Sequence, residues 1–269
     1  MYRSNPATVT LWEAGSSSTR SVALLGEEPL SIRVEGKPYA VVMRTPGEEI
    51  AHAAGFSLGE GIIDSAADCS SIALCEGENL NAVTVTLTPA RRAAIGDILD
   101  RRSYLSQTSC GICGKELLED LAQRTLPLPP GAAIDIGTIL AGMEAMSAQQ
   151  TLRRETRAAH AAALCDADGR PISVAEDIGR HNALDKAVGK ALLDGKLPRA
   201  AMAVLSSRVS YEMVQKSARA GVAVVFSVSR PTGLAVELAS RLEMALACFA
   251  PGNGVYVFCG QSRLRLTPT

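Results

Sequence analysis

No stretch of the chain approaches the roughly 18 consecutive apolar residues that a membrane span requires, which argues against a helical membrane protein. The N-terminus, MYRSNPATVTLWEAG, lacks the charged-then-apolar pattern of a secretory signal. Together these absences lead us to expect a cytoplasmic protein. Neither sign of charge is in excess: 27 Lys and Arg face 28 Asp and Glu. Overall charge therefore favours neither nucleic acid nor an anionic membrane as a partner, and any basic site must be local. A secreted disulfide framework is also missing. The seven cysteines, an odd number, are scattered over Cys69, Cys75, Cys110, Cys113, Cys165, Cys248 and Cys259, and most are expected to be small buried apolar groups. Internal repeats and low-complexity tracts are absent. What remains is 269 residues, 47% hydrophobic, enough to bury a substantial core in one large domain or two modest ones.

Residues 1–26, with the run SSST at 16–19, are expected to form a flexible N-terminal arm. Alternation through EEPLSIRVEGKPYAVVMRT predicts a hairpin over 30–34 and 39–44, turning at Glu35-Gly36-Lys37. Thr45-Pro46-Gly47-Glu48 marks a helix start, because Thr can cap and Pro suits the first turn; the helix is expected over 47–58. The segment NAVTVTLT at 81–88 alternates as a strand. A polar stretch with two close cysteines follows, then a short helix over 114–122 that the prolines of LPLPPG end. That proline-rich stretch is the expected boundary between an N-terminal α+β lobe, 27–130, and a C-terminal domain, 131–269. In the second part, periodicity predicts helices over 135–149, 182–193, 210–220 and 232–248. It also predicts strands over 160–165, 172–176, 201–205, 222–228 and 255–259. Strands alternating with helices predict an α/β fold, a layered mixed sheet with helices on both faces.

The strongest local signal is Ser109-Cys110-Gly111-Ile112-Cys113-Gly114-Lys115. A pair this close in a Gly-flanked turn fits a helix N-terminus, where free N–H groups and the helix dipole stabilise a thiolate and lower its pKa. Lys115 adds a positive charge, and the glycines leave the sulfurs accessible to a reaction partner. Four readings stay open on these residues alone: half a zinc site, a thioredoxin-like disulfide, a persulfide relay, and structural thiols. Zinc needs four ligands, and no second CxxC or His pair stands at ligand spacing, although Cys69, Cys75 or His160 is available at a distance. A thioredoxin pair should follow a strand early in a βαβ unit, whereas this one follows a polar, Arg-rich stretch.

A second constellation runs from Glu176 and Asp177 through Arg180, His181 and Asn182 to Asp185 and Lys186, between a strand end and a helix start. Such crossings are where open α/β sheets bind ligands, and helix N-termini with Arg and Lys favour phosphate. Helix capping and surface ion pairing explain each charge singly. Ser206-Ser207-Arg208-Val209-Ser210 and Ser229-Arg230-Pro231-Thr232-Gly233 repeat the arrangement. Three crossings on one sheet edge would make a shared anion pocket. The element order also matches a cytidine deaminase-like domain, in which zinc sits at the starts of two central helices. Here those places hold His181-Asn182-Ala183 and Ser207-Arg208-Val209-Ser210. A lone histidine cannot hold catalytic zinc, and Ala183 replaces the acid/base Glu, so neither deaminase chemistry nor a bound metal is expected.

Taken in order, EEPLSIRVEGKPY, TPGEEIAHAAGFSLGEGII, SCGICGKE, HAAAL, EDIGRHNALDKAVGKAL, SSRVSYEMVQKSARAGV and SRPTGLAVELA resemble the formate dehydrogenase accessory sulfurtransferase family, FdhD. The resemblance runs from Glu27 to Ala239, and more loosely to Phe258. It implies a protein that takes persulfide sulfur from a cysteine desulfurase and passes it to the molybdenum or tungsten bis(pterin guanine dinucleotide) cofactor, bound as substrate, before that cofactor enters formate dehydrogenase. It further implies a deaminase-like C-terminal fold and a homodimer. Cys110 would be the persulfide carrier and Cys113 its partner. The guanine-nucleotide cofactor would meet the loop Phe249, Ala250, Pro251, Gly252, Asn253 and Gly254, with Arg180, His181, Lys186 and Arg208 neutralising its phosphates. Taken alone, that loop is a simple turn before the last strand. The chain departs from the family pattern at Arg157 and Ala158, where paired glycines are usual, at Ser207, where Gly is usual, and at Pro251, where Arg is usual. These departures bear on the cofactor pocket and leave the thiols untouched. The alternative function is a chaperone that binds and delivers the cofactor without sulfur transfer.

Overall fold

Alternation from Leu30 to Val34 sends Leu30, Ile32 and Val34 to one buried face, which is why this segment is a strand with one wet side. The computed structural model describes residues 2–75, 81–96, 126–252 and 254–266. The first part holds β1 (Ser4–Glu13), β2 (Ser16–Leu25), β3 (Glu28–Val34), β4 (Lys37–Arg44), α1 (Glu49–Gly59), β5 (Cys69–Leu74), β6 (Ala82–Leu87) and α2 (Pro89–Ala94). The second part opens with β7 (Ile134–Asp135), α3 (Ile136–Ala148), α4 (Thr151–Thr156), β8 (His160–Cys165) and β9 (Pro171–Asp177). It continues with α5 (Arg180–Leu193), β10 (Met202–Leu205), α6 (Tyr211–Arg219), β11 (Val224–Ser227), α7 (Gly233–Arg241), β12 (Ala245–Phe249), β13 (Val255–Cys259) and β14 (Leu264–Arg265).

β3 to β6 form a four-stranded sheet in the order β4-β3-β6-β5, and β8 to β13 form a six-stranded sheet in the order β13-β12-β11-β10-β8-β9. Within the larger sheet β10, β11 and β12 run parallel, and the flanking pairs are antiparallel. Alternate residues of its strands face different cores. Ala162, Leu164, Leu205, Val225 and Leu246 join a core that continues through Leu184 and Val188 of α5 and Ala53 and Ala54 of α1 into Ile32 and Val83 of the smaller sheet. Ala163, Met202, Val204 and Phe226 instead pack with Ile139, Met143 and Met146 of α3. The molecule is therefore a mixed α/β fold with helices on both faces of the large sheet.

The two sheets meet where α1 lies on α5. A Cβ at Gly55 would stand 1.9 Å from the carbonyl oxygen of Asp185, and one at Gly189 would stand 1.8 Å from that of Ala51. The axes come this close only because both positions lack a side chain.

The structure corrects two expectations and adds elements that the sequence pattern did not announce. Residues 4–25, expected as a loose arm, pair along their whole length as an antiparallel hairpin turning at Ala14 and Gly15, both with positive φ. The helix expected over 232–248 stops at Arg241, and Ala245–Phe249 is a strand parallel to β11. A short apolar run fits either state by periodicity, and its pairing with β11 decides for the strand. β5 and α4 were not expected at all. The helix expected over 114–122 lies outside the described residues.

Candidate anion site at the sheet edge

Pairing register fixes which loops meet. Asp177 lies opposite His160, Leu205 lies opposite Ala162 and beside Ser227, and Ser227 lies beside Cys248. Consequently His160, the β9–α5 crossing, the β10–α6 crossing, the β11–α7 crossing and the β12–β13 turn share one edge of the large sheet. α5, α6 and α7 all begin there, so three helix N-termini point toward it. The three polar crossings singled out in the sequence do meet on one edge.

Its charge is positive. Burial lowers the pKa of His160, and Arg180, Arg153 and Arg208 push it further down. Burial likewise takes His181 down to about 3, helped by Arg180, Lys216 and His160. Both rings are thus neutral near pH 7, with three guanidinium groups around them. The Nε2 of His181 lies 3.0 Å from Ser210 Oγ and 3.1 Å from Glu212 Oε2, a hydrogen-bond contact, since the ring carries no charge. His160 Nδ1 and Arg180 Nε are buried without a hydrogen-bond partner among the described residues. Buried polar atoms of this kind call for a ligand or water.

Lys186 does not join them. Its ammonium is fully buried, 2.7 Å from Asp177 Oδ2 and donating to the Thr45 carbonyl at 2.7 Å. Asp177 is a hub: Oδ2 also accepts from Thr45 N at 3.0 Å, and Oδ1 accepts from Gly179 N and Asn182 Nδ2, both at 2.9 Å. Part of the polar patch is therefore a brace between the β4–α1 junction and the first turn of α5. The hydroxyls are similarly engaged. Ser206 Oγ accepts from Ala161 N, Ser207 donates to the Arg208 carbonyl, and Thr232 caps α7 by accepting from Ala235 N. Glu176 accepts from the amides of Leu152 and Arg153 and so fixes the start of α4.

Phe249, Ala250, Pro251, Gly252 and Gly254 form the β12–β13 turn, closed by Ala250 N–H donating to the Gly254 carbonyl at 2.8 Å; Asn253 lies outside the described residues. The turn is two strands from Arg208, about 10 Å along the edge, with the exposed Arg230 between them over the ring of Tyr256. Arg157 adopts φ 59, the left-handed region in which Gly costs least, so the paired-glycine position departs from the family pattern at a strained residue. Sequence reasoning missed Arg153 and the part played by His160. The available signal was their closeness to the start of β8, which begins at the same edge.

Cys110 and Cys113 lie outside the described residues. The five described cysteines are all free and at least half buried. Burial pushes Cys69 up to about 11 and Cys165 up to about 12, and it raises Cys248 and Cys259 as well. Cys75 Sγ lies 3.3 Å from Thr84 Oγ1. Among the described residues no group of His, Cys, Asp and Glu could hold a metal ion, and no helix is long and apolar enough to cross a membrane.

All three histidines, His52 included, are held below the usual range, chiefly by burial. Below about pH 6.5 the unfolded chain takes up protons that the folded one refuses, so stability present above that pH is lost as pH falls. A histidine that stays neutral at pH 5 costs the fold about 2 kcal/mol there. Asp185 works the other way: burial raises it from 3.8 to about 6, so its protonation in that window favours the fold. With three groups against one, the urea midpoint is expected to be lower at pH 5 than at pH 7. A higher midpoint at pH 5 would refute neutral histidines.

The molecule is thus a mixed α/β protein whose sheet edge gathers three helix N-termini and several guanidinium groups, features that suit an anion. The sequence profile of the FdhD/NarQ family matches residues 25–265, and the chain belongs to that family. It is 40% identical over 258 residues to the sulfur carrier protein FdhD of Anaeromyxobacter dehalogenans strain 2CP-C, covering 91% of this chain and 89% of that one. It is 37% identical to the sulfur carrier protein FdhD of Streptomyces avermitilis, covering 94% and 92%. Its fold matches the crystal structure of "a putative formate dehydrogenase accessory protein" from Desulfotalea psychrophila, with a TM-score of 0.78 at 23% identity, covering 98% of this chain and all of that one.

Proposed function

We propose that this chain is a cytoplasmic sulfur carrier that serves formate dehydrogenase maturation. The Cys110 thiolate attacks the outer sulfur of a cysteine desulfurase persulfide, the donor cysteine leaves as thiolate, and Cys110 holds the new S–S bond. The sulfur then passes to a molybdenum or tungsten bis(pterin guanine dinucleotide), the substrate. Attack of the Cys113 thiolate on the Cys110 sulfur expels it as sulfide and leaves a disulfide, which an external thiol reductant reopens. The observation that carries this reading is thiol chemistry by elimination: burial raises four of the five described thiols, which suits packing and not nucleophilic attack. The relatives' name supports the same class of reaction.

Arg180 and Arg208 would meet the cofactor's phosphates, with the turn 249–254 farther along the edge; Lys186 is left out because Asp177 already neutralises it. The neutral His181 would contribute hydrogen bonding and no charge. The deaminase-like domain and the homodimer belong to this proposal. Incubation with a desulfurase and cysteine, followed by alkylation and mass spectrometry, is expected to show one added sulfur on Cys110, lost in Cys110→Ser. Undiminished loading in that variant overturns the assignment, and guanine-nucleotide binding without any loading would make the chain a cofactor chaperone instead.

A further inference from the structure

A cavity opens at the end of the large sheet opposite the cationic edge. β12 and β13 pair from Phe249 and Val255 at that edge to Leu246 and Cys259 at the other end, where the cavity lies. Its volume is 740 Å3, within the range of small-molecule sites, about 300–1,000 Å3. Met244 and Phe258 give it an apolar wall, and Gly131, Ser240, Glu243 and Arg263 give it a polar one. None of its described lining residues belongs to the cationic edge.

Two side chains supply the charge. Arg263 is only 7% exposed; its Nε donates to the Glu243 carbonyl, and its Nη2 donates to the carbonyls of Leu128 and Pro129 at 2.9 and 2.8 Å. Three carbonyls thus fix the guanidinium, and among the described residues no carboxylate neutralises it. Nη1 is left over. It makes no hydrogen bond among the described residues and lies toward Gly131, where a Cβ would stand 3.6 Å from it. A sheltered charge of this kind holds an anion more firmly than an exposed one, because water and salt screen it less. Glu243 is exposed and forms no ion pair among the described residues, although its φ of 56 is one that a glycine would adopt at least cost. Ser240 lies in the last turn of α7, whose carbonyl end carries partial negative charge, so this side of the cavity suits a cation.

We propose that this cavity is a second ligand site, one that takes a short peptide with free termini. The peptide's carboxylate meets Arg263 Nη1, its ammonium meets Glu243 beside the end of α7, and an apolar side chain between them lies on Met244 and Phe258. Arg263 bonds the Glu243 carbonyl and leaves the Glu243 carboxylate alone, so both charged groups are free for a ligand. One unpaired cation and one unpaired anion in the same cavity suit a zwitterion better than a phosphate, which Glu243 would repel. The cavity is also larger than a single free amino acid fills, which favours a peptide. The site is independent of the persulfide reading, because no thiol acts in it.

NMR titration of the isotope-labelled chain with the tripeptide Ala-Leu-Ala tests it. Binding is expected with a Kd of about 1 mM, and about tenfold weaker for the C-terminal amide and for the N-acetyl peptide, each of which lacks one charge. Gly131→Leu, which sets a side chain over Nη1, should abolish it. Glu243→Gln should weaken the free tripeptide about tenfold and leave the N-acetyl peptide as it is in wild type, a split that a merely structural role would not produce. Arg263 itself is left in place, because its loss would also strip three carbonyls of their donor. No binding up to about 20 mM, or an amide as tight as the acid, overturns the proposal. So does wild-type affinity in Gly131→Leu, which would put the peptide elsewhere, the cationic edge included. Free L-leucine binding as tightly as the tripeptide overturns the peptide in favour of an amino acid.

Discussion

Gly55→Ala is expected to destabilise the protein by about 3 kcal/mol, the upper end of overpacking, although helix propensity alone predicts a gain of about 1 kcal/mol. The obstacle is backbone. An added Cβ would meet the carbonyl oxygen of Asp185 at 1.9 Å, its carbon at 2.7 Å and Gly189 N at 2.9 Å, and none of these can rotate away. α1 and α5 would have to separate, loosening a core that runs through both sheets. Gly233→Ala is the control, because nothing lies within 4 Å of its Cβ position. Urea denaturation reads the difference. A Gly55→Ala midpoint at or above that of wild type would show that the helices are not in the contact described.

Lys186→Met is expected to cost about 3 kcal/mol or more, because it leaves the fully buried Asp177 carboxylate without its cation. Three N–H donors would still hold that carboxylate, so the fold should persist at reduced stability. The readout is again the urea midpoint, with guanine-nucleotide affinity measured beside it. If Lys186 instead served a ligand phosphate, affinity would collapse while the midpoint held, and the brace between β4–α1 and α5 would have to be given up.

The candidate site was legible in parts. Strand-to-helix crossings rich in Arg and Ser announced a shared edge, and the register of β8 to β12 brought them together. Which charges are free was not legible. Lys186 and Arg180 stand six positions apart on one helix, yet Lys186 reaches into the junction with Thr45, 141 positions earlier in the chain, and Arg180 stays at the edge. Local pattern cannot report that partner. His160 was hidden similarly, since only its pairing with Asp177 shows which loops surround it.

By itself the sequence determined the alternating strands, the amphipathic helices, the layered α/β class, the family resemblance and the thiol pair, because these depend on residues within a few positions of one another. Only the tertiary structure decided that Ala245–Phe249 is a strand, that residues 4–25 form a ribbon, and that Asp177 and Lys186 neutralise each other in the interior. Strand pairing and desolvation are settled by neighbours far away in the chain, and a one-dimensional pattern does not record them.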